Sequence, residues 1–317
     1  MEAEREAGEV EEEAAPVNMY HSYDSNIRKT WALMSVFFIV VIGVGFAFAQ
    51  VYGDFVILYI AVLIAIVMNF FSYWYSDKIV LSISGARPAD KETYWDLYTV
   101  TENLAITAGI PMPKLYVIPD AAPNAFATGR NAEHATVAVT EGLLGMLTRS
   151  EQEGVIAHEL SHIKNRDILL STIVVVLVGF VSILADIFLR GLVWGGGRSR
   201  EGRAGGILAI AGLALAILSP IFVTLIQLAI SRKREFVADA SGALLTRYPE
   251  GLASALKKIA SYSGELKTAH QATAHLYISN PFRGKHISKL FMTHPPTEER
   301  IAALMGLKNT DTEVTLR

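Results

Sequence analysis

The sequence predicts a mainly α-helical α+β membrane protein, with four apolar helices and a polar domain that contains a small β-sheet. Apolar residues make up 51% of the 317 residues, and the mean hydropathy of +0.34 is high for a soluble domain. Long runs without Asp, Glu, Lys or Arg occur as two pairs. A polar segment with both helical and strand-like patterns separates the two pairs, which predicts membrane helices combined with a folded domain.

Composition narrows the classes of function. The net charge of −3 gives no reason to expect nucleic-acid binding. The chain has no cysteine, which excludes disulfides and thiolate metal ligands, so any metal must be held mainly by His, Asp or Glu. Residues 1–27 begin with a stretch rich in glutamate and alanine, and this composition predicts an acidic, disordered tail.

The first pair of apolar segments predicts a transmembrane helical hairpin over residues 28–77. Residues 30–53 and 55–76 contain no charged side chain, and each run exceeds the roughly 20 residues that an α-helix needs to span a bilayer. Trp31 and Tyr73 lie near the ends of these runs, where aromatic rings favour the membrane interface. A buried hairpin of a soluble protein is the alternative.

The second pair of apolar segments, within residues 168–231, predicts two further spans. Its uncharged runs cover residues 168–185 and 204–231, and the loop between them is rich in arginine. Basic loops prefer the cytoplasmic side of a membrane. Because the basic residues that flank the first hairpin also favour that side, a re-entrant or buried arrangement of the second pair is the alternative.

The polar residues predict a domain made of two parts, residues 78–167 and residues 232–317. Alternating apolar residues predict strands at three places, which are residues 114–120, 124–129 and 135–140. Thr140 is expected to cap a short helix. Ser150 and Glu153 predict a capping box at the start of the helix that contains "GVIAHELSH".

This helix contains the motif H-E-x-x-H, in which His158 and His162 are four residues apart. At 3.6 residues per turn both imidazoles project from one helix face, where they can bind one zinc ion. Glu159 lies about 100° round the helix, where it can reach a water molecule but is poorly placed to be a ligand. The pattern predicts a zincin-type metallopeptidase domain with Glu159 as general base. A pair of surface histidines beside a glutamate is the alternative.

A catalytic zinc ion needs a third protein ligand and an open position. The stretch "SRKREFVADA" follows the fourth apolar run and offers two acidic residues four positions apart. Glu235 is predicted to complete the site for one Zn²⁺ per chain. Asp239 is predicted to orient a ligand histidine by accepting its other N–H. Both motifs lie close to apolar runs, which predicts a site at the membrane surface; a solvated helix face is the alternative for the acidic pair.

Four stretches of this chain occur together in a known family. They are "PNAFATG" (residues 123–129), "HELSHIKNRD" (158–167), "REFVADA" (234–240) and "THPPTEERI" (293–301). In these stretches the chain resembles the HtpX-type membrane-integrated zinc metalloproteases, which are related to the CAAX prenyl-protein endopeptidases. The resemblance implies endopeptidase action on misfolded or damaged membrane proteins. It also implies a multi-pass protein of the cell membrane with its catalytic domain on the cytosolic side.

The resemblance gives roles to two further stretches. The first is an edge strand against which substrate backbone adds, formed by Asn124, Ala125, Phe126 and Ala127. An interior strand is the alternative. In the second stretch, the resemblance implies that His294 stabilises the oxyanion and that Arg300 anchors either the oxyanion or the zinc carboxylate. An ordinary residue of a proline-rich turn is the alternative for His294.

The predicted function is therefore that of a membrane-bound zinc endopeptidase, with polypeptide substrates and the lipid bilayer as its partners. An intramembrane protease is one alternative, although charged residues in 149–153 precede the motif and place it at or above the interface. A prenyl-protein-processing enzyme is another, and it needs more spanning segments than four. The third is a non-enzymatic membrane scaffold or transporter with a structural metal.

Overall fold

The computed structural model describes residues 19–177, 179–180, 232–270, 273–282 and 294–314. The helices are α1 (Met19–Tyr52), α2 (Val56–Trp74), α3 (Ser76–Ile83), α4 (Trp95–Ala108), α5 (Glu141–Met146), α6 (Arg149–Lys164), α7 (Asp167–Leu177), α8 (Arg232–Thr246), α9 (Pro249–Ser261) and α10 (Thr297–Val314). The strands are β1 (Arg87–Pro88), β2 (Lys114–Ile118), β3 (Ala125–Thr128) and β4 (Thr136–Thr140). These elements form the predicted α+β fold, mainly helical with a small sheet.

Two of the four predicted apolar helices are confirmed by length and composition. They are residues 26–50 of α1 and the whole of α2, and they pack against each other along their lengths. Helix α7 is also apolar, but its described part, which ends at Leu177, is shorter than a membrane span. The predicted fourth helix, residues 204–231, lies outside the described residues, so the prediction of four apolar helices is confirmed only for two.

Helix α1 begins earlier than the predicted hairpin. Its first residue is Met19, so the last residues of the predicted tail 1–27 are helical, while residues 1–18 lie outside the described part of the chain. The cause is visible in the contacts of Asn26, which is buried and bonded to the folded domain. The polar residues before the apolar run therefore belong to the same helix as the run.

The four described strands pair in the order β1-β2-β4-β3. Strand β4 is parallel to β2 and antiparallel to β3, and β1 adds a short antiparallel edge to β2. The three strands predicted from sequence are confirmed. Every residue of β3 and β4 is buried, which fits their nearly continuous small and apolar sequences. Strand β3 forms one edge of this sheet, as the resemblance implied.

Helix α6 runs through the centre of the polar domain and contacts α4, α8, α9 and β3. Val155, Ile156 and Leu160 have no exposed surface and belong to the main hydrophobic core. The histidine motif is therefore not on a surface helix. Both polar parts of the chain contribute to this core, because α8 and α9 come from the segment after residue 231.

The capping box of α6 begins two residues earlier than predicted. Thr148 is the capping residue, and its N–H donates to the Glu151 carboxylate at 2.8 Å. Ser150 and Glu153 have the same spacing as Thr148 and Glu151, so the local sequence alone does not determine which of the two pairs forms the capping box. Helix α9 favours the Thr148 box, because its Ser254 Oγ and Lys258 Nζ donate to Glu151 at 2.6 and 2.7 Å.

These contacts predict an acid-sensitive contribution of Glu151 to stability. Burial alone would raise the pKa of Glu151, but its four hydrogen bonds lower it to about 2. A lowered pKa stabilises the fold above the ordinary value near 4.5, and the contribution is lost as pH falls toward 2. Glu151→Gln is expected to lower the free energy of unfolding by about 2 kcal/mol at neutral pH. Thermal unfolding from pH 7 to 3 checks this, with Glu153→Gln as control; equal losses in both variants would contradict it.

Gly154 allows α6 and α9 to approach closely. A Cβ atom at this position would lie 2.6 Å from the Leu252 backbone nitrogen, a distance that requires the backbone to move. Gly154→Ala is expected to lower the free energy of unfolding by about 1–3 kcal/mol, although alanine is the better helix former. Gly145 in α5 has open space around it, so Gly145→Ala is the matched control and should be neutral or stabilising. Denaturant unfolding of both variants decides the question.

Candidate metal centre

Three side chains from α6 and α8 meet at one point. The Nε2 atoms of His158 and His162 are 3.2 Å apart, and they lie 3.7 and 3.6 Å from the carboxylate oxygens of Glu235. Two atoms that bind one zinc ion at about 2.1 Å in tetrahedral geometry are about 3.4 Å apart, so this spacing suits zinc. The close crossing depends on Gly242, where a Cβ would lie 3.0 Å from the His158 backbone nitrogen.

The other nitrogen of each histidine faces a carboxylate. Asp239 Oδ1 lies 2.9 Å from His158 Nδ1, which is the contact predicted for Asp239. Asp167 Oδ2 lies 3.0 Å from His162 Nδ1, so a carboxylate also contacts the Nδ1 atom of the second ring. These contacts orient the rings so that both Nε2 atoms face Glu235.

The charges around His162 favour a cation at this point. Burial lowers the pKa of His162, but the hydrogen bond that its Nδ1–H donates to Asp167 and the negative charges of Glu235 and Asp167 raise it to about 9. The surroundings therefore stabilise positive charge on the imidazole, and a metal ion at Nε2 supplies positive charge at the same place. Donor atoms and charge both fit a divalent ion.

Arg300 is held within the protein by an acidic partner. Its Nε and Nη2 atoms donate to the two oxygens of Asp239 at 2.8 and 2.7 Å, and its Nη1 donates to the Ile278 carbonyl at 3.0 Å. Burial alone would raise the pKa of Asp239, but the Arg300 guanidinium holds it below its ordinary value. Arg300 Nη1 is farther from Glu235, at 3.9 Å. The main contact of Arg300 is thus the carboxylate behind His158.

His294 lies beside the candidate third ligand. Its Nδ1 is 2.9 Å from a Glu235 oxygen. Burial would raise the pKa of Glu235, but the nearby His294 contributes to holding it well below its ordinary value, so the carboxylate is charged. His294 Nε2 is buried and has no hydrogen-bond partner among the described residues. This ring nitrogen is the atom on His294 that remains available to a ligand.

Glu159 is buried next to the three candidate ligands. Glu159 is 2% exposed, and its carboxylate accepts a hydrogen bond from the Ala127 backbone N–H. Burial raises the pKa of Glu159 to about 7, close to the pH at which a general base works best. Glu159, both histidines and Glu235 line a cavity of about 40 Å³, which is large enough for an ion or a water molecule.

Comparison with known proteins decides the family. The model of peptidase family M48 matches residues 92–308, which include all the residues described at the centre. The chain belongs to peptidase family M48. It is a metalloprotease, as the motif and the resemblance predicted, and peptidases of this family depend on zinc in general.

Proteins of several organisms are similar to this chain over most of its length. The "Protease HtpX homolog" of Caldanaerobacter subterraneus subsp. tengcongensis is 47% identical over an alignment of 295 residues, and the alignment covers 91% of this chain and 98% of that protein. The protein of the same description from Pyrococcus furiosus is 49% identical over 278 residues, 87% of this chain and 94% of that one. The crystal structure of S. mikatae Ste24p aligns with a TM-score of 0.47 and 20% identity, over 90% of this chain and 67% of that chain.

The predicted substrate strand of this M48 peptidase already has contacts within the chain. The Asn124 side chain bonds to the Ser279 backbone, and the Ala125 carbonyl accepts from the Ile278 N–H at 3.0 Å. The Phe126 ring packs against a tyrosine ring in the core. Ala127 lies beside Glu159 and lines the cavity. Of the four predicted residues, Ala127 is therefore the one nearest the centre.

Contacts that sequence reasoning missed connect this M48 site to α1. Asn26 of α1 donates to Asp167 Oδ1 at 2.5 Å, and Arg234 of α8 lies 3.5 Å from the same oxygen. Asp167 reaches back to His162 because Arg166 adopts a left-handed conformation, with φ of 56°, between α6 and α7. The sequence places Asp167 in a motif of the resemblance. A spacing of five residues, however, gives no shared helix face from which the contact with His162 could be predicted.

Proposed function

We propose that this M48 metalloprotease is a membrane-bound endopeptidase in which His158, His162 and Glu235 hold one zinc ion. The observation that carries the proposal is the convergence of three ligand atoms from α6 and α8, all within 4.8 Å of one another. The buried carboxylates behind the histidines support it further, because such partners orient ligand rings in zinc sites.

The chain supplies a general base and a proton carrier in Glu159. A bound zinc ion supplies a Lewis acid that polarises the peptide carbonyl and lowers the pKa of water toward about 7. The Glu159 carboxylate lines the same cavity, so it takes the proton from the attacking water and later delivers it to the leaving amine. The raised pKa of Glu159 suits a group that must both accept and release a proton near neutrality.

The remaining residues bind and position. We assign the buried Nε2 of His294 as the donor to the oxyanion. This role requires a proton on Nε2. Arg300 acts as a positioning residue, because it holds Asp239 against His158. Substrate backbone is proposed to align with β3 at its Ala127 end, where the strand borders the cavity.

The apolar helices α1 and α2 support a membrane location. We propose that the hairpin of α1 and α2 (residues 28–77) spans the bilayer, that residues 168–231 form a second apolar helix pair, and that the protein is multi-pass. The two parts of the catalytic domain, residues 78–167 and 232–317, then lie together on the cytosolic side. Misfolded or damaged membrane proteins are the proposed substrates, because a site joined to α1 through Asn26 is held close to the membrane.

The substrate class is tested by cleavage in proteoliposomes. The protein is reconstituted with a small helical membrane protein, with a destabilised variant of it, or with unfolded soluble casein outside the vesicles. We expect the destabilised membrane protein to be cut at least several-fold faster than its folded form and faster than casein, and a zinc chelator to stop all cleavage. Equal rates for casein and for the destabilised membrane protein would contradict the proposed substrates, while leaving the protease activity intact.

Asp167 provides a test of the metal site away from the ligands. Loss of a carboxylate behind a ligand histidine typically weakens metal binding by about 10–100-fold. Asp167→Ala is therefore expected to weaken zinc binding by that factor, measured by competition with a chromophoric chelator. Asp96→Ala, at an exposed carboxylate far along the chain, is the control and should bind zinc as the unmodified protein does. Unchanged affinity in both variants would remove Asp167 from the site.

A further inference from the structure

A second cavity lies at the junction of α2, α3 and the polar domain. Its volume is about 510 Å³, and it is separate from the metal centre. Three cations and three aromatic rings dominate its lining: Lys78, Lys114, Arg130, Phe70, Trp74 and Tyr75. Asp77 is the acidic residue of the lining, so positive charge is in excess.

The Arg130 guanidinium in this cavity is held in place before any ligand arrives. It stacks 4.4 Å from the centre of the Trp74 ring, and its Nη2 lies 2.6 Å from His134 Nε2. His134 Nδ1 is 2.7 Å from the Asn131 side-chain oxygen, so Nδ1 donates and Nε2 accepts from Arg130. Lys78 Nζ lies 5.2 Å from the Tyr75 ring centre. A planar, fixed guanidinium in a cavity that a lysine also lines is a suitable binding site for a phosphate group.

An apolar stripe on α2 leads into this cavity. Five residues at helical spacing form it, and their exposed fractions are high: Tyr59 70%, Leu63 61%, Ile66 53%, Phe70 51% and Trp74 45%. The steps of three and four residues keep them on one face, and the last two also line the cavity. A ligand that fills both features must be apolar along most of its length and anionic at one end.

We propose that this cavity binds the headgroup of an anionic phospholipid, whose acyl chains lie along the α2 stripe. The phosphate pairs with Arg130 and Lys78, and the aromatic rings occupy the interface between headgroup and acyl chains. Free phosphate has the same anionic group but no part that would fill the stripe. The proposal rests on α2 being a membrane helix, as in the proposed function, and it does not depend on proteolysis.

Native mass spectrometry of the full-length protein in neutral detergent tests the proposal. Phosphatidylglycerol and phosphatidylcholine with identical acyl chains are titrated separately. We expect one phosphatidylglycerol to be retained at least 10-fold more tightly than phosphatidylcholine. Lys78→Gln/Arg130→Gln should abolish this preference, whereas the charge-matched control Lys91→Gln/Lys257→Gln, at exposed lysines outside the cavity, should keep it. Unfolding temperature is compared for both pairs to confirm folding.

Three outcomes would overturn the lipid site. The first is equal retention of the two lipids, which would show no preference for an anionic headgroup. The second is equal loss of the preference in both variant pairs, which would indicate general surface charge. The third is complete displacement of phosphatidylglycerol by millimolar inorganic phosphate, which would indicate an anion site with no lipid requirement. Glu159→Gln protein should show the same lipid preference as the unmodified protein, so failure of the lipid site is distinguishable from failure of the proposed protease mechanism.

Discussion

Glu159→Gln is expected to lower the rate of peptide hydrolysis by about 10²–10⁴-fold while the protein keeps its zinc. Glutamine has nearly the same shape as glutamate, and its amide oxygen can still accept the hydrogen bond from the Ala127 N–H. It cannot take a proton from water at neutral pH. Because Glu159 lines the cavity without being one of the three converging ligands, its loss should affect turnover and not metal content.

The measurement combines hydrolysis of a fluorogenic peptide with metal analysis of the same sample. Glu141→Gln at the surface of α5 is the control and should retain full activity and full zinc. Loss of zinc together with activity in Glu159→Gln would mean that Glu159 is itself a ligand. Retained activity would remove it from the mechanism.

Glu235→Ala is expected to weaken zinc binding by more than the roughly 100-fold that loss of an outer partner can cause. Glu235 supplies the negative charge of the three-ligand group, and its removal leaves two neutral rings to hold a divalent ion. His294 also loses the partner that lies 2.9 Å from its Nδ1, so the variant should lose activity even at high zinc concentration.

Zinc affinity is measured by chelator competition, with thermal unfolding as a check that the variant folds. Glu298→Ala, at an exposed position in the first turn of α10, is the control. A Glu235→Ala protein that purifies with one tightly bound zinc ion per chain would show that the third ligand lies elsewhere.

The fold was predictable where a local pattern carries the information. Three strands, the capped helix α5 and the motif helix follow from alternation, a threonine cap and helical spacing. Strand β1 was not predicted, because a two-residue strand that ends in proline has no pattern of its own. The exact start of α6 was not predictable either, since it depends on Ser254 and Lys258 of α9, far along the chain.

The site was predictable where spacing along one helix reveals a shared face. His158 and His162 share a face, as do Glu235 and Asp239. Apolar neighbours around the histidine pair indicated a buried helix, where two histidines and a carboxylate are costly unless they are paired or bind a metal. Asp167 and Asn26 could not be predicted, because their contacts join segments that only folding brings together. For Arg300, the resemblance offered the oxyanion or the zinc carboxylate as its partner, and the structure gives it Asp239 as its closest acidic partner.

A crystal structure of the zinc-loaded protein, with anomalous diffraction measured on both sides of the zinc absorption edge, tests the central claim most directly. We expect one anomalous peak per chain, about 2.0–2.2 Å from Nε2 of His158, from Nε2 of His162 and from a carboxylate oxygen of Glu235. A peak at any other position, or a zinc ion at this position with Glu235 turned away from it, would contradict the account.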